Sequence, residues 1–237
     1  MIEAIDLTKR YGEKVAVDNL NLKINDGELF SLLGVNGAGK TTTIKMMTTL
    51  IKPTNGMVKI LGYRNIDEKG MIRKNINVSP QETAIAPNLT VLENLEFMAG
   101  VYQIKDKNKR INELVESFKL TDVLKQKAKT LSGGYQRRLS IAISLINDPK
   151  VLFLDEPTLG LDVIARSELW DIIKELKGKK TIVLTTHYME EAEALSDRIG
   201  IIKDGKLIEI GTPKELIKKA KAKNIEDAFI KIVRGDK

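Results

Sequence analysis

Leu29-Phe30-Ser31-Leu32-Leu33-Gly34-Val35-Asn36-Gly37-Ala38-Gly39-Lys40-Thr41 is the stretch that decides the fold. Its first five residues read as a buried strand, and a glycine-rich turn closes it. Thr41 to about Ile51 then fits a helix, stopped by Pro53-Thr54-Asn55-Gly56. Gly34–Thr41 has the spacing of a phosphate-binding loop in the strand-to-helix setting that its mechanism needs. Glycines let the backbone wrap phosphate oxygens, while N–H groups at the helix start point at them. On this pattern Lys40 reaches the β- and γ-phosphates of a nucleotide and the Thr41 hydroxyl binds Mg²⁺.

A second strand completes such a site. Val151-Leu152-Phe153-Leu154 is apolar throughout and delivers Asp155 and Glu156 at its carboxyl end, where α/β sheets bind ligands. Asp155 is placed to hold the Mg²⁺ shell and Glu156 to polarise an attacking water; beside a phosphate loop, a helix-capping role for the two acids is the weaker account. Helix Arg166–Lys177, strand Thr181–Thr185 and helix Met189–Leu195 follow, an alternation that implies a parallel sheet covered by helices.

The flanking regions differ. Near the N-terminus Leu20, Leu22 and Ile24 share one face of a strand ending at Asn25-Asp26-Gly27. Between about Asn88 and Ile146 three helical patterns, Val91–Tyr102, Ile111–Phe118 and Ser132–Ile146, occur with no comparable strand, so a helical subdomain is inserted there. Ile199–Lys203 and Lys206–Ile210 flank Asp204-Gly205 as a hairpin. Thr212-Pro213-Lys214-Glu215 starts a last helix with a capping box. With neither repeats nor linkers, residues 1–237 read as one domain. A core lobe spans about 1–87 and 148–211, the helical subdomain about 88–147, and a short helical tail 212–237.

The chain has 237 residues, 42% hydrophobic and 30% charged, which excludes a disordered chain. No apolar run approaches the ~18 residues of a membrane span, and the N-terminus lacks a signal-peptide pattern. Absence of cysteine excludes disulfides and thiolate chemistry, so a cytosolic setting is expected. The net charge of +7 could favour nucleic acid or an anionic membrane. The basic residues are scattered, however, and the densest patches, Lys105–Arg110 and Lys218–Lys223, look like solvated helix faces.

Leu131-Ser132-Gly133-Gly134-Tyr135-Gln136-Arg137-Arg138 puts a serine N-cap and two glycines before a helix, exposing N–H groups and a dipole to an anion. Taken alone, a merely capped helix accounts for it better than a second phosphate site. With the other motifs, in this order from Tyr11 to about Gly211, the sequence strongly resembles an ATP-binding-cassette ATPase, the nucleotide-binding subunit of a membrane transporter. The resemblance implies an α/β P-loop NTPase core, a mostly parallel sheet with helices on both faces, plus an N-terminal antiparallel β subdomain and the inserted helical one. It also implies ATP and Mg²⁺ as ligands.

Residue by residue, the resemblance implies that Tyr11, Gly34, Asn36, Gly37, Ala38, Gly39, Lys40, Thr41 and Thr42 bind the nucleotide, Tyr11 by stacking on adenine; a core tyrosine is the alternative for Tyr11. Thr41, Gln81 and Asp155 hold the metal. Glu156, His187 and Gln81 form the catalytic set, His187 bonding the γ-phosphate and Gln81 coupling to the membrane subunit. A lone histidine after a strand is otherwise a packing or surface residue. Ser132, Gly133 and Gly134 contact the γ-phosphate held by a partner cassette, and Tyr135 stands where the family usually has glutamine. Asp162 lies in the loop that crosses the dimer interface, although Leu159-Gly160 departs from the commoner serine and alanine.

Gln81-Glu82-Thr83 through Asn94, and His187–Glu193, resemble the export branch that handles drugs, antibiotics, ions or polysaccharide. Only Thr212–Lys237 follows the hairpin, so no long regulatory extension is expected. The implied partners are a membrane-spanning permease and a second cassette, identical or different, at the inner face of the cell membrane, with no specific nucleic acid. The alternatives are an importer cassette and, less favoured, a non-transport member acting in translation or DNA repair. A GTPase would need Asn-Lys-x-Asp, but the sole Asn-Lys pair is followed by Arg110-Ile111.

Overall fold

Strand β3 (Leu29–Leu33) is buried along its whole length, as its unbroken apolar character requires. The computed structural model describes residues 1–235; Asp236 and Lys237, the end of the expected tail, lie outside the described residues. β3 belongs to a six-stranded sheet with β6 (Ile76–Ser79), β7 (Val151–Asp155), β8 (Thr181–Thr186), β9 (Arg198–Lys203) and β10 (Lys206–Gly211). The order is β10-β9-β3-β8-β7-β6, parallel throughout except for the β9–β10 hairpin. A separate antiparallel sheet, β2-β1-β4-β5, is built from β1 (Ile2–Tyr11), β2 (Lys14–Ile24), β4 (Asn55–Ile60) and β5 (Tyr63–Arg64).

Alternation along the buried strands divides the core between two faces. Leu29, Leu152, Leu154, Ile182 and Leu184 point into a helical layer that contains Leu95 of α3 (Val91–Val101), Leu114 of α4 (Lys107–Ser117), Leu139 of α5 (Gly133–Ser144) and Leu169 of α6 (Val163–Leu176). Phe30, Leu32, Val151, Phe153 and Val183 point the other way, against Leu22 and Ile24 of β2, Val58 of β4, Ile44 of α1 (Lys40–Met47) and Ile72 of α2 (Lys69–Asn75). The antiparallel sheet therefore shares the second face with α1 and α2. Leu33, Ile199 and Ile201 meet a third cluster, from α7 (Met189–Leu195), α8 (Pro213–Lys219) and α9 (Ile225–Arg234).

Several elements begin or end away from their sequence-based positions. α1 stops at Met47, before Pro53, because Thr49 turns the chain with φ +62° and the Leu50 and Ile51 N–H groups fold back to the Lys45 carbonyl. α6 starts at Val163, three residues before the expected Arg166. Its cap is Asp162, which accepts from the Ile164 and Ala165 N–H groups at 3.0 and 2.9 Å. The tail forms two helices where one is expected: after the Thr212 capping box starts α8, Asn224 caps α9 by accepting from the Asp227 N–H at 2.8 Å. α4 begins a turn before Ile111, and β4, β5, β6 and α2 are additional elements. The basic patches straddle helix ends: Lys218 and Lys219 close α8, where cations complement the negative end of the helix dipole, and Lys221 and Lys223 lie beyond it.

Phe153, wholly buried in β7, anchors the contact between the parallel sheet and the layer containing β2 and α1. Phe153→Ala is expected to destabilise the fold by about 3–5 kcal/mol, read as a lower denaturant midpoint at unchanged m-value.

Candidate nucleotide-binding site

The turn after β3 is held on three sides by backbone. The Gly34 N–H donates to the Thr186 carbonyl at 3.3 Å, the Ala38 N–H to Val35 at 3.2 Å, and the Gly205 N–H in the β9–β10 turn to Ala38 at 2.9 Å. This closeness demands glycine at two positions. A Cβ on Gly34 would lie 2.6 Å from the Ile202 carbonyl oxygen, and one on Gly39 2.5 Å from that of Ala16, with Gly39 also at φ +107°. Lys40 opens α1 but turns its side chain back under the loop. Only 4% exposed, its ammonium lies 2.8 Å from the Gly34 carbonyl, 3.3 Å from that of Val35 and 3.2 Å from Glu156 Oε1.

β7 brings the two acids to the same end of the sheet. Asp155 Oδ1 accepts from the Thr41 hydroxyl at 3.2 Å and from the Thr185 hydroxyl. The Glu156 N–H donates to Thr185 Oγ1 at 3.1 Å, and Glu156 has φ +48°, a strained conformation for a non-glycine residue of the kind that clusters at functional sites. Its Oε2 lies 3.3 Å from His187 Nδ1, which follows β8. That nitrogen is buried and lacks an aligned hydrogen-bond partner. Gln81 sits exposed on the loop after β6. The loop is clasped by Arg137 of α5, whose guanidinium donates to the Pro80 carbonyl at 2.7 Å and to the Gln81 carbonyl. Burial pulls the Arg137 guanidinium below its ordinary value, opposed by the charges of Asp155 and Glu191.

Lys40, Thr41, Gln81, Glu156 and His187 line one cleft of about 640 Å³. One part of its wall is Asn36, Gly37, Gly39, Lys40, Thr41 and Thr42, with Gln81, Glu156 and His187; Tyr11, 52% exposed, contributes to the rest. Gly34, Ala38 and Asp155 are absent from the wall and act on it through their neighbours. Lys14, Val15, Ala16, Leu159, Asp204 and Gly205 also line the cleft, and sequence reasoning missed them. Leu159 follows Glu156 in the same segment, its N–H bonded to the Glu156 carbonyl; the other five carry no nucleotide motif, and only the pairing that sets the β1–β2 and β9–β10 turns beside the loop brings them there. Ser132, Gly133, Gly134 and Asp162 are not part of the cleft. Ser132 caps α5 by accepting from the Tyr135 N–H at 3.5 Å. Gly133 and Gly134 pack toward Leu161 and Ala165, so this turn and the start of α6 form one edge, where Val163 and Ile164 are 77% and 73% exposed.

A glycine-rich loop joining a buried parallel strand to a helix, with a buried lysine under it and a carboxylate pair on a nearby parallel strand, defines a P-loop NTPase. The sequence profile described as ABC transporter matches residues 17–159. The chain belongs to the ABC transporter family, as its ATP-binding ATPase cassette. It is 41% identical to the probable multidrug ABC transporter ATP-binding protein YbhF of Escherichia coli (strain K12) over 98% of this chain, and spans only 42% of that protein's length. It is 38% identical to the linearmycin resistance ATP-binding protein LnrL of Bacillus subtilis (strain 168), covering 99% of this chain and 79% of that one. Among solved structures, the dimeric post-hydrolysis state of the ATP-binding cassette MJ0796 bound to ADP and Pi superposes with a TM-score of 0.79 at 32% identity, over 90% of this chain and 98% of that one. Among the described residues no helix is long and apolar enough to cross a membrane.

Lys40→Ala removes a cation from beneath the loop and leaves Glu156 without its ammonium partner. Charged hydrogen bonds are worth about 1.5–3 kcal/mol, so ATP affinity is expected to fall ~10–100-fold and turnover to vanish, as measured by nucleotide titration and phosphate release.

Proposed function

We propose that the chain is the ATP-hydrolysing motor of an exporter, pairing with a second cassette around two ATP–Mg²⁺ and driving a separate membrane permease from the cytoplasmic face. The observation that carries this is the split between the cleft and the α5 edge. Lys40, Glu156, Gln81 and His187 gather at one cleft, whereas Ser132–Gly134 stay outside it, Ser132 and Gly133 exposed and Gly134 half-buried, against the Leu161–Ala165 segment that contains Asp162. Each cassette then holds the phosphates on its own loop and offers its capped α5 terminus to the γ-phosphate on its partner, with Asp162 at the junction.

Within one cleft the N–H groups at the start of α1 receive the phosphates, and Lys40 neutralises their charge. Tyr11 offers its exposed ring to the adenine. The Thr41 hydroxyl and Asp155 carboxylate, 3.2 Å apart, form with Gln81 a set of hard oxygen donors that fits Mg²⁺ and would hold it. When bound, Mg²⁺ adds charge neutralisation at the phosphates. Glu156 orients the attacking water and accepts its proton. His187, beside Glu156, donates to the γ-phosphate.

Export is supported by the segments Gln81–Asn94 and His187–Glu193 and by the names of YbhF and LnrL, one a probable multidrug protein and the other a linearmycin resistance protein. The transported molecule would contact the permease and not this chain.

Glu156→Gln keeps the shape of the side chain and removes the base, so kcat should fall about 10²–10⁴-fold while ATP still binds. Size-exclusion chromatography of that variant is expected to show a dimer with ATP and a monomer with ADP. Adding Ser132→Arg should abolish the dimer while leaving the monomer's ATP affinity unchanged. A Glu156→Gln chain that stays monomeric at saturating ATP, both alone and with the cassette encoded beside it, would defeat the proposed pairing.

A further inference from the structure

Glu191, in the first turn of α7, is wholly buried and takes no part in the cleft. Its Oε1 accepts from the Thr158 hydroxyl at 2.8 Å and from the Trp170 indole N–H at 3.1 Å, while Oε2 is buried without a hydrogen-bond partner. An apolar side chain would fill such a space at no desolvation cost, so a carboxyl retained there calls for a reason.

The elements that it joins suggest the reason. Thr158, itself wholly buried, lies two residues beyond Glu156. Glu191 lies four residues beyond His187, which directly precedes the N-cap residue Tyr188, and α7 has no side-chain cap to fix its entry. Trp170 belongs to α6, the helix that Asp162 begins. Glu156 and His187 are thus delivered by different strands, β7 and β8, and the Glu191–Thr158 bond ties the segments leaving both. The groups acting on Glu191 from the surrounding elements are Arg166 and Trp170 of α6, Thr186 of β8, Thr158, and the charge of Arg137 in α5, which also clasps the Gln81 loop. Burial pushes the Glu191 carboxyl above the ordinary carboxylate range, against the hydrogen bonds from Thr158 and Trp170, the nearby Thr186 side chain and the Arg166 charge.

We propose that Glu191 is a positioning residue that, through Thr158 and Trp170, holds His187 against Glu156 and links their placement to α6. Resting on the hydrolytic reading above, this makes Trp170, the single tryptophan of the chain, a built-in reporter of the nucleotide state. ATP in the cleft acts on Glu156 and His187, their segments meet at Glu191, and the indole N–H senses the change.

The test combines steady-state ATPase kinetics, ATP titration and Trp170 emission on the full chain and on Glu191→Gln, Glu191→Ala and Thr158→Val. Glu191→Gln keeps an Oε1 acceptor for both bonds, so kcat should stay within about twofold. Glu191→Ala should lower kcat about tenfold or more with KM within about threefold, since the groups that hold ATP are untouched. It should also shift Trp170 emission and abolish the emission change that ATP produces in the unaltered chain. Thr158→Val, a near-isosteric loss of one bond, should move kcat the same way to a smaller extent, and it decides the matter alone if Glu191→Ala does not fold. A Glu191→Ala or Thr158→Val enzyme with unchanged kcat, a loss not rescued by Glu191→Gln, or Trp170 emission indifferent to ATP overturns the proposal while leaving the ATPase reading intact. An unaltered chain that neither binds nor hydrolyses ATP overturns both.

Discussion

The buried ammonium of Lys40 is the contact on which the rest of the site depends. β3 and β7 do not touch; β8 runs between them. Lys40 spans that gap, bonded to the Gly34 and Val35 carbonyls beyond the end of β3 and paired with Glu156 beyond the end of β7. A buried ion pair contributes little net stability after desolvation, but breaking one is costly, so it constrains geometry more than it adds free energy. β8 supplies the complementary ties. Thr185 bonds to Asp155 and to the Glu156 N–H, and the Thr186 carbonyl receives the Gly34 N–H. All three strands run parallel, so their carboxyl ends lie together and short side chains suffice to connect them.

The two core faces divide the work. The cleft takes Tyr11, Lys14, Val15 and Ala16 from the antiparallel sheet that packs on one face. The Ser132 turn belongs to α5, in the helical layer on the other face. In the proposed cycle the γ-phosphate therefore engages elements from opposite layers of two different cassettes. Arg137 connects the layers within one chain, since it is part of α5 and yet clasps the loop that carries Gln81. In the proposed cycle a movement of the helical layer would reach the Gln81 loop through the Pro80 and Gln81 backbone carbonyls. Glu191 provides a second junction, between α6 and α7, outside the cleft wall.

Much of this was legible in local sequence, and the physical reason is that the motifs are chemically over-determined. Gly34–Thr41 needs glycines, a lysine and a hydroxyl at set spacing whatever surrounds it; the apolar run Val151–Leu154 can only be a buried strand, and Asp204-Gly205 can only turn. The caps Ser132 and Thr212 were readable because their bonds close within three residues. The early end of α1 and the split of the tail into α8 and α9 were not, because a left-handed Thr49 and the packing of Phe229 against Ile199 and Ile201 override local propensity. β6 escaped notice because only half of its four residues are fully buried, and parallel pairing with β7 is what makes it a strand.

The sequence by itself carried the motifs by which the chain resembles its family, the parallel core, and the glycines, lysine and hydroxyl of the candidate phosphate loop, since these depend on residue type at short spacing. Only the tertiary structure decided which of them meet. It placed Ala16 and Gly205 against the phosphate loop through hairpin register, set His187 beside Glu156, and kept Ser132 apart from both. It also joined Thr158, Trp170 and Glu191, residues with no mutual spacing to announce them. Such contacts depend on how strands order and layers pack, and long-range packing leaves no periodic trace in the residues that it brings together.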